Sequence, residues 1–431
     1  MRVVLFKLVK RCSLISIAVL GLTGFQGSAA ADRNGKSPKD WPEGKTYALN
    51  GLEVNISAPV LVGRSKGYFW QPTLARLSDG ELLAAIWNLN DAIHTNNTDL
   101  YSWSSDAGLT WSRPIEAEVF DAGVALSSGD ELLLPFNLYQ LPNGDLGGHY
   151  QIVPRGRREI RLVKEGLTVT GWPRPVGHGP NPSEQNQKAK GFSSWVFYGQ
   201  SVRLMDGGYL ATMYGTFQGD QSSSDVSVES HDGIHWRVRS VIGGPQNCGK
   251  ISKGAPDATM VNEPSLCRLA DGRLMSVFRL QYHDVGYPCG QTWSDDEGKT
   301  WSKPILMAHA FPVSPSLAVL KDGTVVLAGG RPGLYAWFNT DGTGKDWQSV
   351  DMMAHHDAFA LKDPMHEAFE KDAPRPLATL RTSAYTEVVT LDNTRILYIY
   401  DRIPNGWYPI PKDSSETNSV WVVRMALRKK P

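Results

Sequence analysis

Glu263 and Arg279 are the two residues whose types and spacing first point to chemistry. Between them Leu266 and Leu269 lead into Asp271-Gly272, a turn pair that tolerates positive φ, and Leu274 to Phe278 returns the chain. A β-hairpin of that form sets its two ends side by side. A carboxylate and a guanidinium therefore arrive at the same rim of a sheet, where the cation can hold the acid as the anion and so as a base. A turn acid and a salt-bridge arginine are the plain alternative.

The rest of the chain repeats this hairpin. Pro72 to Gly80 precedes Leu82–Trp87, and Gly199 to Gly207 precedes Tyr209–Tyr214. Pro315 to Gly323 and Tyr385 to Asn393 are further copies, the last with Asn at the left-handed turn position, and a weaker one runs from Val124 to Phe136. A second motif falls between hairpins. Ser104 to Trp111 and Ser294 to Trp301 share the form S-x-D-x-G-x-T-W, with altered versions at Ser230 to Trp236 and Asn339 to Trp347. Ser and Asp oxygens accept backbone N–H bonds inside such a turn, Gly takes positive φ and Trp anchors it, so these boxes stabilise structure and do no chemistry.

Hairpin repeats at intervals of roughly 50–75 residues, each with about four short strands, predict an all-β fold, a six-bladed β-propeller over 51–431. Blades bury their faces on one another, so one domain is expected. Insertions are expected at 140–195 and 350–380; the latter carries His355, His356 and His366, read as a surface loop cluster rather than a metal site. The innermost strands of a propeller converge on one axis. Trp70, Tyr198, Glu263 and Tyr385 open theirs and should meet at one mouth, open to a sugar.

The 431 residues begin with Arg2, Lys7, Lys10 and Arg11, an apolar run from Ser13 to Phe25, and Ala29-Ala30-Ala31. Residues 1–31 therefore read as a secretory signal peptide, too short in its apolar part for a membrane span, and 32–50 as a polar leader. A secreted or periplasmic location is the consequence. Without the signal the chain is slightly acidic, which excludes nucleic acid or an anionic membrane as an obvious partner. Cys248, Cys267 and Cys289 allow one disulfide and one odd thiol, the pairing left open. No Cys/His spacing of metal-ligand type occurs, and no cofactor is implied. The 14 Trp, 42 Gly and 27 Pro suit a turn-rich exported β-protein that binds a glycan or oligosaccharide.

The S-x-D-x-G-x-T-W boxes on a six-bladed pattern resemble the sialidase (neuraminidase) superfamily, where they are called Asp boxes, over nearly the whole mature chain. The resemblance implies roles residue by residue. Glu263 and Arg279 match the family's glutamate and arginine in type and order, and Arg331, ten residues before Asp341, its arginine of the following blade. Tyr385 matches the tyrosine that opens the last blade, and Asp91, with His94 beside it, the general acid after the first hairpin. The chain departs from the family at Tyr68-Phe69-Trp70-Gln71-Pro72, where Trp70 stands in place of the first arginine and leaves the three-arginine carboxylate clamp incomplete unless Arg64 or another side chain completes it.

That resemblance implies an exo-glycosidase that removes a terminal acidic sugar with retention. A 2-keto acid sugar carries its carboxylate on the anomeric carbon, which repels a carboxylate nucleophile but not a neutral phenol deprotonated as it attacks. Glu263 would take the proton of Tyr385, Arg279 and Arg331 would hold the substrate carboxylate, and Asp91 would protonate the leaving oxygen. Tyr198 would line the sugar site, and Trp70 would stack on the sugar or pack beside it. The alternatives are a propeller acting on another acidic polysaccharide, as a lyase or a different exo-glycosidase, and a non-catalytic carbohydrate-binding propeller.

Overall fold

The computed structural model describes residues 41–430 apart from 91–97, 119, 137, 156–160, 178–192, 249–259, 282–287, 308–309, 311, 361–367, 370–380, 408–409, 411–412 and 414–416. The signal peptide, His366 and the proposed general acid Asp91, with His94, lie outside the described residues. The chain divides into Met1–Ser37 and Pro38–Pro431, and the second unit holds every strand and helix described.

Each of the hairpins expected from the repeats forms as an antiparallel pair. Trp70–Arg76 pairs Leu82–Trp87, Val196–Arg203 pairs Tyr209–Gly215, and Met260–Arg268 pairs Leu274–Gln281. Ser316–Val319 pairs Val325–Gly330, Glu387–Thr390 pairs Arg395–Arg402, and Phe120–Ala125 pairs Glu131–Pro135. Third and fourth strands extend most hairpins into meanders, and the described strands form five sheets: one of nine strands, one of six and three of four. The nine-stranded sheet is two meanders joined where Thr168–Thr170 runs parallel to His235–Arg237. That pairing of two outer strands fuses units which the repeats alone present as separate. The protein is all-β, with a single long helix, Met352–Ala360, among the described residues.

Buried clusters bridge neighbouring sheets and succeed one another in a ring. Leu266 and Leu274 meet Leu204 and Leu210, while Met275 and Val277 meet Val325 and Leu327. Val326 and Phe338 meet Tyr398 and Met425, Ile86 meets Leu397, and Leu83 meets Leu133. Both faces of most units are thus apolar, as a sheet buried on both sides requires. The last sheet is completed from both ends of the unit: Asn418–Lys429 pairs Leu52–Ile56 and Val60–Ser65, and Leu52–Ile56 pairs Lys45–Leu49. The stretch 32–50 read as a leader therefore supplies a strand from Lys45, its alternation of exposed and half-buried residues fitting an outer edge.

Two further expectations differ. His355 and His356 are fully buried, not a surface cluster. Met352 and His356 face the core while His355 bridges Tyr47 and the Ser57 carbonyl, so the helix clasps the first strands to the last sheet. Burial lowers His355 to about 4, which keeps the ring neutral. The three cysteines are all free and buried.

Candidate functional site

Each meander begins with its innermost strand at a sheet edge, and the starts of these strands lie at one end of the ring. There the backbone departs from regular strand geometry. Gln71, Glu263 and Ser314 have φ of 47°, 52° and 44°, and Ala384 has 61°. Gln71, Glu263 and Ser314 each precede a proline and stand six residues before the leucine that begins the turn (Leu77, Leu269, Leu320). The register slips at the first two of them, between Trp70 and Pro72 and between Asn262 and Ser265. A bulge of this kind re-aims side chains, and each left-handed non-glycine residue costs of order 1–3 kcal/mol. Five of the seven such residues described, Arg331 (φ 76°) among them, lie at this mouth.

The result is a small network centred on Glu263, which is only 4% exposed. Its Oε1 accepts from the Tyr385 hydroxyl at 2.7 Å and from the Arg279 guanidinium at 3.0 Å. Its Oε2 accepts the Ser314 backbone N–H at 2.8 Å. The Tyr198 hydroxyl donates to Ser314 Oγ at 2.7 Å. Tyr385 is raised above the usual phenol range by burial first and by the Glu263 charge second, with Arg279 and Arg331 opposing. The phenol therefore keeps its proton at rest, hydrogen-bonded to the one base that can receive it.

Arg331 donates to the Ser383 carbonyl at 2.7 Å, and its guanidinium lies 5.4 Å from the Tyr385 ring centre and 5.2 Å from that of Trp407. Its Nε is buried without a hydrogen-bond partner. Arg331 thus arrives beside Tyr385 as expected, with a donor still unused.

Trp70 lies differently. It is 2% exposed, donates to the Leu89 carbonyl at 2.7 Å, stacks on Trp407 at 6.0 Å and meets Tyr385 edge-on at 6.4 Å. Its faces pack against protein, the packing role of the two open to it, rather than offering a face to a sugar. Tyr198, 7% exposed, likewise backs the network through Ser314. Arg64 lies opposite Ser419 in the last sheet; the guanidinium near the tryptophan pair is that of Arg331.

Sequence reasoning missed Ser314, Ser383, Trp407 and Asp401. Asp401 is fully buried and accepts from Thr382 Oγ, Ser383 N–H, Ser383 Oγ and Gln71 N–H, tying the approach to Tyr385 to the first hairpin. Ser314 had a signal: it repeats the x-Pro position of Glu263-Pro264. Trp407 had none, since it comes after the last hairpin in a segment without a repeat. Among the described residues no group of three His, Cys, Asp or Glu side chains could hold a metal ion.

Comparison with known proteins agrees with this architecture. Residues 182–399 match the family described as a BNR repeat-like domain. A protein of unknown function from Dyadobacter fermentans superposes with a TM-score of 0.62 at 16% identity, covering 88% of this chain and 100% of that one. A Hadza microbial sialidase reaches 0.52 at 14%, covering 82% and 65%. An α-L-arabinanase from Penicillium chrysogenum, complexed with arabinobiose, reaches 0.51 at 13%, covering 85% and 97%. At these identities the likeness establishes a shared β-propeller fold. No curated protein matches by sequence.

Proposed function

Since the chain belongs to the BNR repeat-like domain family, we propose that it is an exported, six-bladed propeller glycoside hydrolase of the sialidase type. In this reading the nine-stranded sheet counts as two blades. The enzyme removes a terminal acidic sugar from a glycan with retention of configuration and needs no cofactor. One observation carries the proposal: Tyr385 and Glu263, 122 residues apart in the chain, share a 2.7 Å hydrogen bond beside two arginines.

The chemistry derives from that contact. As the Tyr385 oxygen bonds to the anomeric carbon, its proton passes to Glu263 Oε1. The glycosidic C–O bond breaks, and the leaving oxygen takes a proton from Asp91. Water then attacks the anomeric carbon, losing a proton to Asp91, and Glu263 returns its proton to the departing phenol. Arg331 and Arg279 hold the substrate carboxylate. Two inversions at one carbon give net retention.

A second reading rests on the Trp70–Trp407 stack, which fills the place of the third arginine. A clamp of two arginines suits a less acidic terminal sugar, or a uronate neutralised for elimination with Tyr385 as base. A 3-fluoro sialosyl fluoride (2,3-difluoro sialic acid) separates these readings. The expected result is a covalent adduct on the peptide containing Tyr385, found by mass spectrometry, together with turnover of a fluorogenic sialoside. Turnover of an arabinofuranoside alone, or an unsaturated uronate product, would transfer the assignment to the second reading.

A further inference from the structure

Four of the innermost strands, those of Trp70–Arg76, Phe120–Ala125, Val196–Arg203 and Glu387–Thr390, line a cavity of about 260 Å³ on the ring axis, beyond the mouth. A single water needs only ~10–15 Å³ by the same measure, so the space is built for more than one. Its walls come from Thr73 to Arg76, Gly123 and Ala125, Gly199 to Arg203, and Glu387 to Thr390. These segments lie on first strands of their meanders, with one edge unpaired within their sheets. Such an edge presents backbone carbonyl oxygens.

Two carboxyls face this cavity and neither has a cationic partner among the described residues. Glu131 is 6% exposed, and its Oε2 is buried with no hydrogen-bond partner at all. Glu387 accepts from Gln200 Nε2 and Ser316 Oγ, both at 2.9 Å. The arginines of the lining sit at the rim: Arg76 is exposed, and the Arg203 guanidinium rests 4.2 Å from the Tyr209 ring centre with a bond to the Gly207 carbonyl. An unpaired buried acid costs several kcal/mol unless it is protonated or meets a cation.

We propose that this axial cavity is a binding site for a hard divalent cation of the calcium type, held by Glu131 and Glu387, with carbonyls of the surrounding strand edges completing the shell. Oxygen ligands of mixed carboxylate and carbonyl origin are what such an ion takes. The cation would neutralise the two acids at the centre of the ring and tie together strands from separate sheets. The site is distinct from the Glu263 network and does not depend on the hydrolase proposal.

The test uses the purified protein stripped with EDTA, then titrated with calcium chloride or sodium phosphate while thermal unfolding is monitored. Calcium should raise Tm by several degrees, and one ion per chain should be retained in equilibrium dialysis. Glu131→Gln should abolish both effects, and Glu387→Gln should weaken calcium binding at least tenfold. If Glu131→Gln does not fold, the Glu387→Gln dialysis result decides. Absence of calcium binding by the wild type, equal binding by the variants, or stabilisation by phosphate in its place would overturn the proposal.

Discussion

The Asp-box turns and the mouth are the two places where non-glycine residues adopt left-handed backbone, and they answer that strain in opposite ways. Ala107 and Glu297 sit in the boxes; Gln71, Glu263, Ser314, Arg331 and Ala384 sit at the mouth. In the box at Ser294, the partners that Ser294 and Asp296 use to close the turn lie within it, while Glu297, Gly298 and Trp301 reach Arg268, Met205 and Ser240 outside it. Asp296 accepts from Ser294 Oγ, Thr300 N–H and Thr300 Oγ, and Ser294 Oγ accepts the Gly298 N–H. Ser104 to Trp111 repeats the same bonds. Glu263 instead finds its partners 16, 51 and 122 residues away. The Ser and Asp bonds that close each box turn are local and belong to stability. The mouth is closed only by the ring, and its strain is held by the packing of every sheet around it.

The largest expected effect breaks the mouth without touching the boxes. Tyr385→Phe removes the attacking oxygen and Glu263→Gln removes the proton acceptor. Each should lower kcat on an acidic-sugar glycoside by roughly 10²–10⁴-fold, the range for loss of a positioned acid–base group. Tm should hardly fall in Tyr385→Phe, because the ring still fills its place beside Trp70. Steady-state kinetics with calorimetry checks both. Full activity in either variant would end the nucleophile assignment.

The converse variant is Asp296→Ala. Asp296 loses three accepted hydrogen bonds at about 1 kcal/mol each at most, so a destabilisation of about 1–3 kcal/mol is expected with kcat unchanged. Denaturant unfolding reads it. The pH sign is set by the carboxyls. Desolvation opposes ionisation of Asp296, but bonds from Thr300, Ser294 and Lys299 outweigh it and hold the acid at about 2; Asp232 is held at about 2 by His235, Ile234 and Ser230 against the same desolvation. Between about pH 4 and 2 the unfolded chain binds more protons than the folded one. The boxes' contribution is complete above that window and fades as pH falls through it. Asp296→Ala should show a shallower loss there.

This contrast also explains what could be read from the chain in advance. Box turns and hairpins are local, so S-x-D-x-G-x-T-W and the Asp-Gly turns disclosed the all-β class and its hairpins, while the described strands form five sheets rather than six separate ones. Glu263 with Arg279 was legible because one hairpin carries both. Tyr385 was placed by its position at the start of a repeat. The fusion of two meanders through Thr168–Thr170 and His235–Arg237 was not legible, because outer-strand pairing between repeats leaves no pattern within either. The burial of His355 and His356 was missed for a related reason: their partners, Tyr47, Ser57 and Tyr400, come from distant strands. Trp70 was legible only as a departure from the arginine, with stacking on a sugar or packing both open. Its partner Trp407, which decides its role, comes from an unrepeated loop.

The smallest effect is the most discriminating. Tyr198 was expected to touch the sugar, yet its hydroxyl is spent on Ser314 Oγ, and Ser314 fixes Glu263 Oε2 through its backbone N–H. A residue that contacts substrate and one that only steadies the base predict different kinetics. Tyr198→Phe keeps the ring packed on Tyr214 and deletes one neutral hydrogen bond, worth about 1 kcal/mol. If Tyr198 acts through Glu263, kcat should fall several-fold while KM holds, and the acid limb of the kcat profile should move as the base loses its fixed orientation. A raised KM with kcat and the pH profile intact would return Tyr198 to the sugar site. It would also mean that the bond network behind Glu263 is structural, as the Asp boxes are, and that the division between the two ends of the ring is less sharp than their hydrogen bonds imply.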